Sequence, residues 1–448
     1  MRRIAGDDPP LYRYREHRRH SRRYRSRPGE CLILARRESA RENATESVVV
    51  SVESVNEKYG SPSDPHSVGW TRRRRMSLFS SEDPFVTELG EKLPGVDVEY
   101  ETYGKLSLDR DNVILIEHAL SGDAHAAGWD LDWEKDDRPW RAEKPGWWDG
   151  IIGPGKAVDT DRYFVICQNV LGSCYGSTGP GSPDTERGRP YGLSFPMVTV
   201  GDWVRLQARV LDELGIERLH AVVGGSLGGQ QAIEWALAFP DRVEKTAVLA
   251  AAPCLSAQGL AFNTVGRYSI LNDPSFQGGD YYGRDIPASG LAAARMLAHI
   301  TYLSDEGMEI KFGRKLRQKT GRTAFSAKFE VESYLDHQGR SFVDRFDANS
   351  YLYISRAMDD YDASSWGDGD LVEACGRIAS DVLVVSFNTD WLYPSRACRN
   401  FSRALTLRGK GVTYADLSSP YGHDAFLVEK DSLSRLLKPF VEKGKKRS

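Results

Sequence analysis

The strongest constraint on the fold is a glycine-rich turn between an apolar run and a helical pattern. Gly224-Gly225-Ser226-Leu227-Gly228 has the spacing G-x-S-x-G, with RLHAVVGG leading into it and GGQQAIEWALAF following it. So tight a turn from a buried strand into a helix needs small flanking residues and exposes the serine hydroxyl at the helix N-terminus, where free N–H groups favour negative charge. The alternative is a chance glycine-rich connection. In this context the pattern predicts a strand–turn–helix unit with Ser226 as a nucleophile.

The rest of the chain alternates between buried strands and amphipathic helices. NVILIEHAL (112–120), DRYFVICQNV (161–170), VEKTAVLAAA (243–252) and SDVLVVSFNTD (380–390) are dense apolar runs typical of buried strands. This alternation predicts the α/β class, with a mostly parallel, doubly wound sheet built from residues 76–258 and 375–448. Residues 259–374 are mostly helical in pattern. They are predicted to form a lid inserted above the strand ends, where such sheets bind ligands.

The N-terminal segment has a different composition from the remainder. Residues 1–75 carry a net charge of +8 and residues 76–448 a net charge of −11. Arginine-rich stretches such as LYRYREHRRHSRRYRSRPGE offer few positions for a core and usually stay disordered. We expect residues 1–75 to be disordered or a non-native extension before a true start at Met76; an arm for acidic partners and a transit peptide are the alternatives. A chain that starts at Met76 is expected to fold and keep full activity.

The bulk composition excludes several classes of function. An acidic body argues against nucleic acid as the main partner, because phosphate binding needs a basic face. The sequence has no run of about 18 apolar residues and no secretory h-region, so no membrane association is expected. The six cysteines are dispersed, and none stands in a metal-binding spacing with histidine. The sequence therefore predicts a cytoplasmic protein with reduced thiols and no metal.

A serine nucleophile needs a general base and a group that orients the base. In the α/β-hydrolase fold these follow the serine in the order Asp or Glu, then His. His423 lies in SPYGHDAFL after the last predicted strand and is the predicted base, in preference to His337 inside the lid. Asp390 ends the run LVVSFNTD and is the predicted acid, with Asp416 as the alternative.

The same fold supplies two backbone donors for the oxyanion of an acyl-transfer intermediate. One is the N–H of Leu227, directly after the nucleophile, and the other comes from the loop after an early strand. HALSGD follows the run NVILIE, so the second donor is assigned to the backbone near Leu120.

With these residues placed, the chain resembles the homoserine O-acyltransferase family of methionine biosynthesis, from about residue 84 to residue 435. The resemblance rests on blocks such as HALSGDAHAAGW, PGWWDGIIGPGKAVDTDRYFVICQNVLGS, GGSLGGQQAIEWA, ARMLAHITYLSDEG, FDANSYLYISRAMDDYD, TDWLYP and YGHDAFL. It implies the α/β-hydrolase fold with a helical lid, and the same triad of Ser226, Asp390 and His423. It also implies a homodimer built through the lid helices.

The resemblance further implies the substrates and their binding residues. Arg295 matches the family arginine that holds the carboxylate of the amino acid, and Asp424 matches the aspartate that holds its amino group. The implied reaction passes through an acyl-enzyme on Ser226, with acetyl-CoA as co-substrate, L-homoserine as acceptor and no other cofactor. A bidentate arginine–carboxylate pair suits such an acceptor.

Family members divide between acetyl and succinyl donors, and some use serine as acceptor. In similar succinyl members the position of Leu392 tends to be arginine, so Leu392 favours acetyl. The chain departs from the usual pattern at LGSCYGSTGP, where a Gly–Gly pair is common, and after Arg267, where glutamine often follows. The alternatives are homoserine O-succinyltransferase, serine O-acyltransferase, an esterase that uses the same triad, and a non-catalytic binding module.

Overall fold

The apolar runs assemble into one eight-stranded sheet. The computed structural model describes residues 60–134, 138–142, 144–317 and 325–442. In chain order the strands of this sheet are β1 (Arg74–Leu78), β2 (Val96–Tyr103), β3 (Val113–Glu117), β4 (Phe164–Gln168), β5 (Ala221–Gly225), β6 (Lys245–Leu249), β7 (Asp381–Phe387) and β8 (Val412–Leu417). Their spatial order is β1-β2-β4-β3-β5-β6-β7-β8. Strands β3 to β8 are mutually parallel, and β2 pairs antiparallel with both of its neighbours, β1 and β4, so the predicted α/β class with a mostly parallel sheet is confirmed.

Helices occupy most of the chain between these strands. Within the described residues they are α1 (Val200–Glu213), α2 (Leu227–Ala238), α3 (Ala257–Leu271), α4 (Ala288–Tyr302), α5 (Asp305–Lys311), α6 (Glu330–Val343), α7 (Ala348–Asp360), α8 (Leu371–Cys375), α9 (Ser395–Leu407), α10 (Ala425–Val428) and α11 (Lys430–Glu442). None of these helices combines the length and apolar character that crossing a bilayer requires. Short two-residue strands pair in the connections, for example Trp70–Thr71 with Trp129–Asp130.

Both faces of the sheet are covered, which explains why its strands read as continuous apolar runs. Every residue of β3, β5 and β6 is buried. One face packs against a core that contains Trp203 of α1 and Trp235 of α2, and the other against Trp148 and Leu437 of α11. The side chains available for chemistry are therefore confined to the strand ends and the loops that follow them.

Between β6 and β7 the chain leaves the sheet and forms helices α3 to α8. Helix α4 lies centrally in this group and packs against both α3 and α6. Helix α3 begins at Ala257, two residues before the predicted start of the lid, and α8 ends at Cys375, one residue after its predicted end. The loop at Gly422, after β8, packs against the end of α4, so α4 reaches the edge of the sheet where the parallel strands end.

The prediction that residues 1–75 lie outside the folded body is wrong for residues 60–75. Trp70–Thr71 pairs with Trp129–Asp130, and Arg74 opens strand β1. The Arg73 side chain is only 4% exposed, and its Nε lies 3.3 Å from Asp130 Oδ2. Arginine-rich composition predicts disorder here, because the acidic partner of Arg73 is distant in sequence and is brought near only by folding. The expectations for residues 1–59 fall outside the described residues.

The buried ion pair of Arg73 makes a stability prediction that replaces the expected full activity of a chain starting at Met76. Among the described residues, Arg73→Ala removes one of two arginines that contact Asp130 and one that contacts Glu99, while Arg141 and Arg138 remain. Losing a contact to a charged group in this setting costs about 1.5–3 kcal/mol. Arg72→Ala is the matched control: its side chain is 64% exposed beside Asp132, and such pairs contribute at most about 1 kcal/mol. Urea unfolding measures both free energies. Equal losses of unfolding free energy in the two variants would contradict a structural role for Arg73. So would a chain that starts at Met76 and keeps its full stability and activity.

Candidate active site

Ser226 stands at the turn between β5 and α2 in a backbone conformation that side-chain-bearing residues rarely adopt. Its φ is 58° and its ψ is −126°. Close crossing of the two elements explains the flanking glycines. A Cβ on Gly224 would lie 2.0 Å from the carbonyl oxygen of Gly228, and one on Gly228 would lie 2.1 Å from that of Glu117. The sequence pattern therefore produces the predicted sharp turn.

The structure brings Ser226, His423 and Asp390 into one hydrogen-bonded chain. His423 Nε2 lies 2.8 Å from Ser226 Oγ, and His423 Nδ1 lies 2.7 Å from Asp390 Oδ2. Asp390 follows β7 and His423 follows β8. Because parallel strands end at the same edge of a sheet, these loops meet beside the turn after β5. All three side chains are buried, so the contacts are shielded from water.

Asp390 is itself held in place by the backbone of its own loop. Its Oδ1 accepts the N–H groups of Leu392 and Tyr393, each at 2.9 Å, which leaves Oδ2 for the histidine. The alternative acid, Asp416, lies in β8 and accepts hydroxyl hydrogen bonds from Ser386 and Ser395.

The alternative base is also placed away from the nucleophile. His337 is exposed on the lid helix α6. Neither alternative residue joins the chain that contains Ser226.

The charge on Asp390 sets the proton affinity of the histidine. Burial alone would lower the pKa of His423, but the neighbouring Asp390 carboxylate and its hydrogen bond outweigh burial and raise that pKa above its usual value. Asp390 thus favours the imidazolium that forms when the ring accepts a proton. The ring is also stacked on Tyr393, with centroids 5.5 Å apart, which restricts its orientation.

The two predicted oxyanion donors, Leu227 and Leu120, belong to segments next to the nucleophile. Leu227 is the first residue of α2, where backbone N–H groups have no acceptor within the helix. Leu120 lies in the loop after β3 and lines, together with Ser226, a cavity of about 30 Å³. The side chains facing this cavity are largely apolar and include Phe262, Leu297, Met358 and the buried Leu392.

A buried polar network supports the loop that carries Leu120. Gln207 Nε2 donates to Glu117 Oε2 at 2.8 Å and to Gln231 Oε1 at 3.0 Å. Gln231 Nε2 in turn donates to the carbonyl oxygen of His118 at 3.2 Å. Burial raises the pKa of Glu117 to about 8, so its carboxyl group is mostly neutral at pH 7. Through these hydrogen bonds, helices α1 and α2 fix the start of the loop 118–123, which carries Leu120 and is the oxyanion loop.

Arg295 and Asp424 lie close to the triad, on α4 and next to His423. Arg295 Nη1 donates to Ser121 Oγ at 3.3 Å, and its Nε is buried without a hydrogen-bond partner within the described residues. Burial lowers the pKa of Arg295. Burial also raises the pKa of Asp424 to about 6, although the charges of His423 and Arg295 act against the rise. The site thus presents a cation and an anion that are both poorly solvated.

Sequence reasoning missed three side chains at this site: Ser121, Tyr302 and Arg345. Ser121 lies inside the HALSGD block, and Tyr302 lies seven residues after Arg295, with its ring 5.6 Å from the Arg295 guanidinium carbon. Arg345 donates to the carbonyl oxygen of Ser121 at 3.3 Å and to the Tyr175 hydroxyl at 2.7 Å. In the sequence, Arg345 is marked only by its position next to the block FDANSYL. Hydrophobic periodicity does not indicate that this residue contacts the loop after β3.

Comparison with known proteins adds the identity of relatives. The family model for the alpha/beta hydrolase fold matches residues 112–430 of this chain. The homoserine O-acetyltransferase of Deferribacter desulfuricans is 48% identical over 84% of this chain and 97% of that protein. The homoserine O-succinyltransferase of Alkalilimnicola ehrlichii is 52% identical over 77% of this chain and 89% of that protein.

Solved structures with the same architecture include a transferase and an esterase. The homoserine O-acetyltransferase from Bacillus anthracis has a TM-score of 0.75 at 30% identity, covering 83% of this chain and 98% of that one. Esterase E22 has a TM-score of 0.74 at 30% identity, covering 83% of this chain and 100% of that one. The architecture alone therefore does not distinguish acyl transfer from ester hydrolysis.

The contact between Asp390 and His423 predicts a specific pH profile. His423 accepts a proton only when neutral, so kcat/KM falls on the acid side as the ring becomes protonated, with a midpoint above the ordinary value of 6.5. Asp390→Asn removes the stabilising charge. We expect this limb to move to lower pH and the rate to fall about 10⁴-fold. Asp416→Asn is the control, and a shift of the limb in that variant but not in Asp390→Asn would contradict the assignment.

Proposed function

The chain belongs to the homoserine O-acyltransferases, a family of α/β-hydrolase-fold enzymes, and from this we propose that it transfers an acetyl group from acetyl-CoA to the hydroxyl of L-homoserine. The product is O-acetyl-L-homoserine, for methionine biosynthesis. The observation that carries the proposal is the 2.8 Å contact between His423 Nε2 and Ser226 Oγ, next to the half-buried side chains of Arg295 and Asp424.

The reaction proceeds in two half-reactions on one serine. In the first, Ser226 Oγ attacks the thioester carbonyl while His423 Nε2 takes the hydroxyl proton, and the N–H groups of Leu120 and Leu227 stabilise the oxyanion. The intermediate collapses, the C–S bond breaks and CoA leaves as the thiol with the proton from His423. In the second, His423 deprotonates the homoserine hydroxyl, which attacks the acetyl-enzyme. Ser226 then leaves and recovers its proton.

The acceptor is recognised by the two charges of an amino acid. Arg295 binds the carboxylate, and Asp424 binds the ammonium group. With a pKa of about 6, Asp424 is mostly ionised at pH 7, as this role requires. With both ends of the backbone of the amino acid held, its side-chain hydroxyl is directed at Ser226.

The apolar cavity beside Ser226 supports acetyl as the acyl group. Leu392 lies in its wall and is only 5% exposed. A succinyl group would bring a second carboxylate against this apolar side chain, and an unpaired buried charge is costly. The succinyltransferase among the relatives makes homoserine O-succinyl transfer the closest alternative.

The esterase alternative uses the same triad with water as the acceptor. The resemblance to esterase E22 favours it, but an esterase needs neither Arg295 nor Asp424 beside the serine. A non-catalytic module is disfavoured, because the Ser–His–Asp chain is complete.

We further propose a homodimer and a cytoplasmic location. Lid helix α3 exposes Val265, Tyr268 and Leu271, each at least 49% accessible, and a second copy would cover this apolar surface. The cysteines within the described residues are free thiols, as in proteins of reducing compartments.

The donor and acceptor preferences follow from these contacts. We expect acetyl-CoA to be preferred over succinyl-CoA, and homoserine over serine by about 10²-fold, because the serine hydroxyl falls about one methylene short of the acyl carbon. Leu392→Arg should raise kcat/KM for succinyl-CoA, while Leu392→Met, which conserves volume, should not. Mass spectrometry of products identifies donor and acceptor. A higher kcat/KM for serine than for homoserine would refute the acceptor geometry.

The two half-reactions predict a separable burst of CoA. Without acceptor, the enzyme should release about one equivalent of CoA rapidly, and Ser226→Ala should release none because it has no nucleophile. Arg295→Lys should keep the burst but raise the KM for homoserine or lower turnover. Stopped-flow detection of free thiol measures the burst. Loss of the burst in Arg295→Lys would place Arg295 in the donor step instead.

A further inference from the structure

Arg345 and Arg295 converge on the same residue from two helical segments of the lid. Arg295, on α4, donates to the hydroxyl of Ser121, and Arg345, just after α6, donates to the carbonyl oxygen of Ser121, both at 3.3 Å. Both guanidinium groups also pack against the ring of Phe342. Their central carbons lie 4.6 Å and 5.0 Å from its centroid, within the range of cation–π attraction. The Phe342 ring thus contacts both positively charged guanidinium groups and holds them near each other.

Within the described residues, neither of these two guanidinium groups lies within ion-pair distance of a carboxylate, although Asp424 attracts Arg295 at longer range. The polar partners of Arg345 are the Ser121 carbonyl and the Tyr175 hydroxyl, both neutral, and Arg295 donates to the neutral Ser121 hydroxyl and lies beside Tyr302. Within the described residues neither guanidinium forms an ion pair, although other buried arginines, such as Arg138 and Arg267, do. Two adjacent cations that form no ion pair with a protein carboxylate favour an anion from outside the protein.

We propose that Arg345 is a second acceptor-binding residue, which binds the carboxylate of the acceptor together with Arg295. This inference rests on the proposed function. A carboxylate has two oxygens, so one guanidinium can serve each oxygen when the group lies beside Ser121. The Asp424 carboxylate then receives the amino group on the side of His423. Specificity for an α-amino acid therefore requires two arginines rather than one.

A purely structural role for Arg345 makes a different prediction. If its function were only to fix Ser121 and Tyr175, its loss would disturb the oxyanion loop, slow formation of the acetyl-enzyme, and weaken all acceptors alike. Tyr175→Phe isolates this role, since it removes the neutral hydroxyl and keeps the charge.

Acceptors that lack one charged group separate the two roles. The compound 3-amino-1-propanol is homoserine without its carboxylate, and 4-hydroxybutyrate is homoserine without its amino group. We expect Arg345→Gln to lower kcat/KM for homoserine and 4-hydroxybutyrate by about 10- to 100-fold, the usual effect of losing a charged hydrogen bond. The same substitution should leave kcat/KM for 3-amino-1-propanol and the size of the CoA burst nearly unchanged. Arg345→Lys should restore part of the loss.

Two further variants serve as controls. Asp424→Asn should show the reverse selectivity: it should lower kcat/KM for homoserine and 3-amino-1-propanol but not for 4-hydroxybutyrate. Arg340→Gln alters an exposed arginine of α6 that pairs with Asp336, and it should change nothing. Equal losses for all acceptors in Arg345→Gln, reproduced by Tyr175→Phe, would overturn the inference alone. An unaltered enzyme that gives the burst but acylates neither homoserine nor 4-hydroxybutyrate would overturn the proposed function and this inference with it.

Discussion

The organisation of the site depends on the backbone conformation of Ser226. A φ of 58° at a residue with a side chain costs about 1–3 kcal/mol and persists only where the surroundings enforce it. Here the enforcement comes from β5 and α2 crossing so closely that Gly224 and Gly228 have no room for a Cβ. Gly228 also abuts the carbonyl of Glu117, the last residue of β3. One crossing therefore sets the position of the nucleophile relative to the oxyanion loop.

Three carboxyl groups around this crossing have different roles because their surroundings differ. Asp390 receives two backbone N–H groups and faces an imidazole, so its charge is compensated on both oxygens. Asp424 has its pKa raised by burial and retains enough attraction from His423 and Arg295 to ionise near pH 6. Glu117 is buried with an amide as hydrogen-bond donor and, within the described residues, forms no ion pair, so the neutral form prevails. Environment, rather than residue type, therefore distinguishes the group that orients His423, the proposed ligand of the ammonium group and the structural hydrogen-bonding group.

Sequence reasoning found the parts of the site that lie at strand ends. Ser226, Asp390 and His423 follow apolar runs, and parallel strands bring their carboxyl ends to one edge, so chain order was enough to group them. The same reasoning failed for Arg73, because only the folded structure places Asp130 beside an arginine that local composition marks as solvated. It also missed Arg345, whose contact with Ser121 spans 224 residues and joins the connection between two lid helices to a loop of the sheet. Such contacts depend on tertiary packing, which local pattern does not encode.

The neutral state of Glu117 has a consequence for folding itself. In the unfolded chain this carboxyl group has its ordinary pKa of 4.5, whereas in the native protein its pKa is about 8. At pH 7 the native state therefore binds a proton that the unfolded chain releases, and refolding takes that proton up from the buffer. By linkage, this group makes the free energy of unfolding fall as pH rises between the two pKa values. The hydrogen-bonded network around Glu117 therefore contributes most to the free energy of unfolding in mildly acidic solution. His423, by contrast, must be deprotonated at a higher pH before it can act as a base.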